Sequence, residues 1–219
     1  TTCGMAVAYL PFFLYAHAKA TAHPDQFTPD GFSTPYQIAL YVFGIFVAII
    51  GLFYLRALLL LFFSQWAVAF TLLAIALGTN FFAYSTIDAF MPHGMGFLLL
   101  AAMLYHYFRW EENPRWHHAL ALGLAFGWAT LIRPVNGLFI LLPLFHFVLA
   151  PGGRERLGKL MQHLPHLLFV AVGALVFISL QLAYWKHVTG QWVYFSYSDE
   201  RFWWQYPHVL DGLFSYRKG

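Results

Sequence analysis

Charge is the scarcest commodity in this sequence. Only 10% of its 219 residues are Asp, Glu, Lys or Arg, against roughly 25% in an ordinary soluble domain. So few ionic groups cannot cover a water-facing surface, so lipid must cover much of it. Cysteine is almost missing as well. Cys3 stands alone, which excludes an internal disulfide framework and a cysteine metal site and leaves it to act as a small apolar residue. The net charge is +3, with no basic stripe interleaved with aromatics, which excludes nucleic acid as a partner. There is no CxxCH or HExxH motif and no internal repeat. The chain opens on Thr1-Thr2-Cys3 without a signal-peptide pattern, and reads as an internal piece of a longer protein.

Apolar and aromatic residues fill the gap. Hydrophobic residues make up 60% of the chain and aromatics 21%, with 24 Phe, 13 Tyr and 8 Trp. Phe suits lipid-facing surfaces, while Trp and Tyr suit the headgroup level. Crossing the hydrocarbon takes about 20 apolar residues. Segments 36–55, 66–84 and 165–185 meet that length, and 93–108 is a shorter candidate. Segments 117–132 and 134–150 are separated by Arg133-Pro134 and read as a tight helical hairpin, since proline ends one helix and suits the first turn of the next. The expectation is an all-α, polytopic transmembrane bundle of about six spanning helices plus one interfacial or re-entrant helix. That last helix is 4–20, which is broken by Pro11 and could span or lie in the interface. Residues 1–34 then form the end of a first outer loop, 35–185 the bundle and 186–219 an extracytoplasmic loop. The basic residues of 56–65, 109–116 and 151–164 place those loops in the cytoplasm. The turn 85–92, the Arg133 tip and the tail then share the outer face.

That topology gathers the chemistry at one boundary. Asp88 and His93 are the candidate catalytic pair, a carboxylate that could take a proton from an attacking hydroxyl and an imidazole suited to acid/base work. Arg133, Asn136, Arg217 and Lys218 are candidates for binding substrate phosphate, because a guanidinium fork matches phosphate oxygens. Each has a plainer reading beside it. Arg133 could simply snorkel to the interface, Asp88 could be a turn residue or helix cap, and Asp199-Glu200 could be an exposed loop pair rather than a metal or acid/base pair. Of eleven histidines, only His106 and His146 fall well inside predicted helices, which disfavours haem. No metal ligand set is assigned and no cofactor is required, although a divalent cation remains open. Gly123 and Gly127 form a GxxxG that allows close helix packing.

Three strings carry a resemblance: Leu131–Asn136 (LIRPVN), 77–84 (LGTNFFAY) leading to His93, and 207–219 (PHVLDGLFSYRKG). Together they resemble the multi-spanning GT-C glycosyltransferases. The likeness is to bacterial relatives of the dolichyl-phosphate-mannose protein mannosyltransferases and to the lipid A aminoarabinose transferases. The resemblance implies a polyprenyl-phosphate-linked sugar donor, transfer on the extracytoplasmic face of a bacterial inner membrane, an acidic residue in the first outer loop as base, and basic residues on the donor phosphate. That first-loop carboxylate would precede Thr1. Asp88 answers loosely to an acidic position of the second outer loop, and His93 to no known catalyst. The implied partners are the bilayer, the lipid-linked sugar and further membrane subunits. The competing expectations are a non-catalytic membrane subunit on a GT-C-like scaffold, since a fold does not establish a function, and a transporter. The transporter is disfavoured because the charges sit at helix ends rather than at the midplane.

Overall fold

The computed structural model describes residues 2–194 and Gln205. Among them every regular element is a helix: α1 Gly4–Ala22, α2 Thr34–Leu59, α3 Gln65–Gly78, α4 Phe81–Thr86, α5 Pro92–Glu112 and α6 Trp116–Ile132. A 3₁₀ helix, Pro134–Ile140, leads into α7 Leu141–Leu149, and α8 Gly153–Gln162 and α9 Pro165–Thr189 follow. The expected all-helical class holds.

The body is a row in which α2 packs on α5, α5 on α6 and α6 on α9. Ring and backbone contacts fix the directions. Gly44 of α2 meets Ala89, Gly51 meets Phe97 and Tyr54 meets Tyr105, so α2 and α5 run parallel. The connection between α5 and α6 is only residues 113–115, which makes those two antiparallel. Gly123 meets Val170 and Gly127 meets Ala174, so α6 and α9 are parallel again. One end of the bundle therefore holds the starts of α2 and α5 with the ends of α6 and α9. Arg133 lies at that end.

Residue size is distributed as lipid requires. The interior is built largely from Ala, Met and Leu, with Ala16, Ala20, Ala129 and Met103 almost completely buried. Large side chains face outward, Phe53 and Leu168 being 65% and 69% exposed. Small residues let helix backbones approach where there is no hydrophobic drive between helices. The sharpest case is α6 on α9. A methyl group added at Gly127 would stand 2.5 Å from the Ala174 carbonyl oxygen, and one at Gly173 would stand 2.7 Å from that of Leu120. The GxxxG motif thus sets two backbones in direct contact.

The number of spans needs correcting. Two helices, α2 and α9, are long and apolar enough to cross a membrane. The segment Pro134–Leu149 with α8 adds a third if that pair, bent by 114°, counts as one broken span. The expected six exceeds this for local reasons. Predicted span 66–84 is cut at Thr79, whose hydroxyl accepts the Phe81 N–H at 3.1 Å, a local bond that competes with helix continuation. What remains, α3, covers about 21 Å at 1.5 Å per residue where the hydrocarbon is about 30 Å thick. Helix α5 is long enough but carries His93, His106, Arg109 and Glu111. Helix α6 has 17 residues. The predicted cytoplasmic loop 151–164 also differs: it contains α8, a ten-residue helix. Even so, the two long apolar helices and their lipid-suited exterior make this an integral membrane protein.

Candidate functional site

The end of the bundle near Arg133 is assembled by the N-terminus of the chain. The Thr2 hydroxyl donates to the Ile132 carbonyl at 2.7 Å, the Trp128 indole donates to the Gly4 carbonyl at 3.3 Å, and the Cys3 N–H donates to Gln181 Oε1 at 3.1 Å. The start of α1 is thereby tied to the last turn of α6 and to α9. Helix α1 then crosses the end of the bundle. Tyr9 packs on Phe43 and Phe90, and its hydroxyl donates to the Tyr36 carbonyl at 2.8 Å.

Helix α6 stops at Arg133 because Pro134 follows, and the Arg133 backbone is extended. Its N–H donates to the Ala129 carbonyl and its carbonyl accepts from the Asn136 N–H at 2.9 Å. The backbone is fully engaged while the guanidinium is exposed, with no hydrogen bond or ion pair among the described residues. Asn136 is used differently. Its Nδ2 donates to the Ala129 carbonyl at 3.1 Å and lies against Gly96 of α5. Asn136 thus holds the turn that presents Arg133.

Asp88 lies in the turn between α4 and α5. Its N–H donates to the Ala83 carbonyl at 3.0 Å and its carbonyl accepts the Met91 N–H at 2.8 Å. The carboxylate is exposed and has no partner among the described residues. The plainer reading as a turn residue fits this position, and the helix-cap reading does not, because the N-cap of α5 is Met91. Gly44 presses this turn against α2: a methyl group there would stand 2.7 Å from the Ser85 carbonyl oxygen. His93 is exposed on the first turn of α5, and its ring lies 4.4 Å from that of Tyr84. Asp88, His93, Arg133 and Asn136 thus share one end of the bundle. Arg217 and Lys218 lie outside the described residues, as do Asp199 and Glu200.

Sequence reasoning missed Lys19. It stands on a groove of about 340 Å³ between α1 and α2, otherwise lined by Pro11, Phe12, Tyr15, Pro35 and Ile38 among other apolar residues. An apolar trough with a cation suits a chain that ends in an anion. Nothing in the sequence signals it, because the trough exists only once α1 folds across α2. The described histidines do not gather into a single centre. His106 and His118 share a hydrogen bond at 2.9 Å and His146 meets the Tyr107 hydroxyl at 3.0 Å. No group of three His, Cys, Asp or Glu suited to a metal occurs among the described residues.

The family model for dolichyl-phosphate-mannose-protein mannosyltransferases matches residues 32–185. This chain belongs to that family. The match takes in Asp88, His93, Arg133 and Asn136, and excludes Lys19 and the tail. It confirms the GT-C glycosyltransferase resemblance carried by the LIRPVN and LGTNFFAY strings. No curated protein and no solved structure matches the chain. In this mannosyltransferase family member the bilayer is the solvent of the apolar exterior.

Proposed function

We propose that this protein transfers a sugar from a polyprenyl-phosphate donor to an acceptor on the extracytoplasmic face of a bacterial inner membrane. The single observation that carries the reading is the Arg133 guanidinium. It is presented without a counterion among the described residues, at the end of the bundle that also holds Asp88 and His93, within the region matched to a lipid-phosphate-sugar transferase family. Helices α2 and α9 cross the bilayer, with α5 and α6 packed between them. Helix α1 lies in the outer headgroup layer, and residues 186–219 follow on the same side.

In this reading Arg133 binds the donor phosphate, with Arg217 and Lys218 as further cations and Asn136 holding the turn. The lipid tail runs along the apolar exterior. The acceptor hydroxyl attacks the anomeric carbon, the bond from that carbon to the phosphate oxygen breaks, and the polyprenyl phosphate leaves with the electron pair. Asp88 takes or directs the hydroxyl proton, and His93 is the second candidate for that role. Arg133 acts where negative charge grows on the leaving phosphate, the place where a fixed cation lowers the barrier most.

The test is incubation of the full-length protein in membranes with polyprenyl-phosphate sugars and candidate acceptors. Sugar should move to the acceptor, and Asp88→Asn should reduce transfer without reducing the amount of folded protein. Full activity of Asp88→Asn would remove that residue from the site. Absence of transfer with every donor would favour a non-catalytic membrane subunit.

A further inference from the structure

The opposite end of the bundle has an unbalanced charge. Among the described residues three carboxylates lie there, and each is already engaged. Glu111 meets Arg156 at 3.3 Å, Glu155 meets Lys159 at 3.2 Å, and Glu112 pairs with Arg109. Arg56, Arg115 and Arg154 remain exposed, with no ion pair or side-chain hydrogen bond among the described residues. All three belong to this end. Arg56 follows Tyr54, whose ring packs on Tyr105 and His106. Arg115 joins α5 to α6, and its neighbour Trp116 packs on Phe169 of α9. Arg154 is in α8, which leads directly into α9.

Helix α8 adds a second, independent feature. Leu157 and Met161, four apart, form a row on α8, and Leu164 follows two residues beyond its end, in the turn into α9. They are 49%, 64% and 52% exposed. Four of the helix's ten residues are charged, Arg154, Glu155, Arg156 and Lys159, which keeps it out of the hydrocarbon. A bare apolar row is equally unsuited to water. The headgroup boundary satisfies both constraints, and the 114° bend from the preceding helical stretch turns α8 away from that stretch's axis.

We propose that this end of the protein is a binding surface for anionic phospholipid: Arg56, Arg115 and Arg154 contact the headgroup phosphates while Leu157, Met161 and Leu164 sink among the acyl chains. A zwitterionic bilayer would admit the row but leave three cations unmatched, so the surface selects for net negative lipid. The inference needs the protein to be membrane-embedded and does not depend on the sugar chemistry proposed for the other end.

The experiment uses the full chain purified in mild detergent and in nanodiscs of phosphatidylcholine, with and without phosphatidylglycerol. Native mass spectrometry should show phosphatidylglycerol retained well above phosphatidylcholine. Replacing Arg56, Arg115 and Arg154 by Gln should abolish the preference, and Arg154→Gln alone should lower it by about fivefold, the share of one juxtamembrane cation. The single variant keeps the test decisive if the triple variant does not fold. A bimane probe at Met161→Cys, with Cys3→Ala in the background, should be quenched by lipid-borne nitroxide and not by aqueous iodide. Equal retention of the two lipids, a preference unchanged in the variants, or iodide quenching at Met161 would each overturn the proposal.

Discussion

Arg156 and Glu111 join α8 to the end of α5. The guanidinium lies 3.3 Å from the carboxylate and donates to the carbonyls of Phe147, Ala150 and Pro151. Arg156 is 7% exposed. One planar fork thus satisfies the orphan carbonyls at the end of α7 and neutralises a half-buried carboxylate.

Arg156→Ala should therefore destabilise the protein by on the order of 3 kcal/mol, because a carboxylate is left without its partner and three carbonyls lose a donor. Arg156→Lys should recover only part of that, since an ammonium cannot reproduce the fork. Thermal unfolding in detergent measures both, and an unchanged melting temperature for the alanine variant would refute the argument.

The contact between α6 and α9 predicts a second loss. Gly127→Leu places a side chain where the Ala174 carbonyl now stands. Overpacking of this kind costs typically about 1–3 kcal/mol. A disulfide engineered between α6 and α9 should form readily in the parent and poorly in the leucine variant. Equal crosslinking in both would show that the helices do not depend on this approach.

Arg133→Ala should weaken binding of polyprenyl phosphate by roughly tenfold or more, the magnitude of a lost charge-assisted hydrogen bond. Arg133→Lys should retain part of the affinity. Asn136→Ala should act indirectly, through the turn, and Gly44→Leu through displacement of the Asp88 turn from α2. Lipid-phosphate affinity that is unchanged in Arg133→Ala would end its assignment.

The linker before α2 carries a pH signature. The Asp30 carboxylate accepts the N–H groups of Phe32 at 2.8 Å and Ser33 at 2.9 Å, and these bonds hold it below its ordinary value. A lowered carboxylate favours the folded turn above the unfolded pKa, and the contribution is lost as pH falls through the lower folded value. Carboxyl carbon shifts should show Asp30 titrating below the ordinary carboxylate range. A midpoint above that range would contradict the bonds described.

Helices α2 and α9 were legible because unbroken apolar runs leave one outcome. The Arg133 turn was legible because proline cannot extend α6. The break at Thr79 was hidden, since a hydroxyl closing on Phe81 competes with the helix inside an otherwise apolar run. Helix α8 was hidden because its charges resemble a loop until Arg156 is seen folded under it. At the candidate site Arg133 and Asp88 stand open, whereas Asn136 is spent on backbone. Lys19 and Gly44 carry no signal until α1 and α4 meet α2.

The meshing of Gly123, Gly127 and Gly173 with the opposite backbone works like a toothed rack. For α9 to slip along α6, peptide would have to climb over peptide, a step of about one helical turn or 5.4 Å, and intermediate offsets are barred. The pair behaves as a single strut, so the height of Arg133 above the membrane midplane is set by α9 as firmly as by α6.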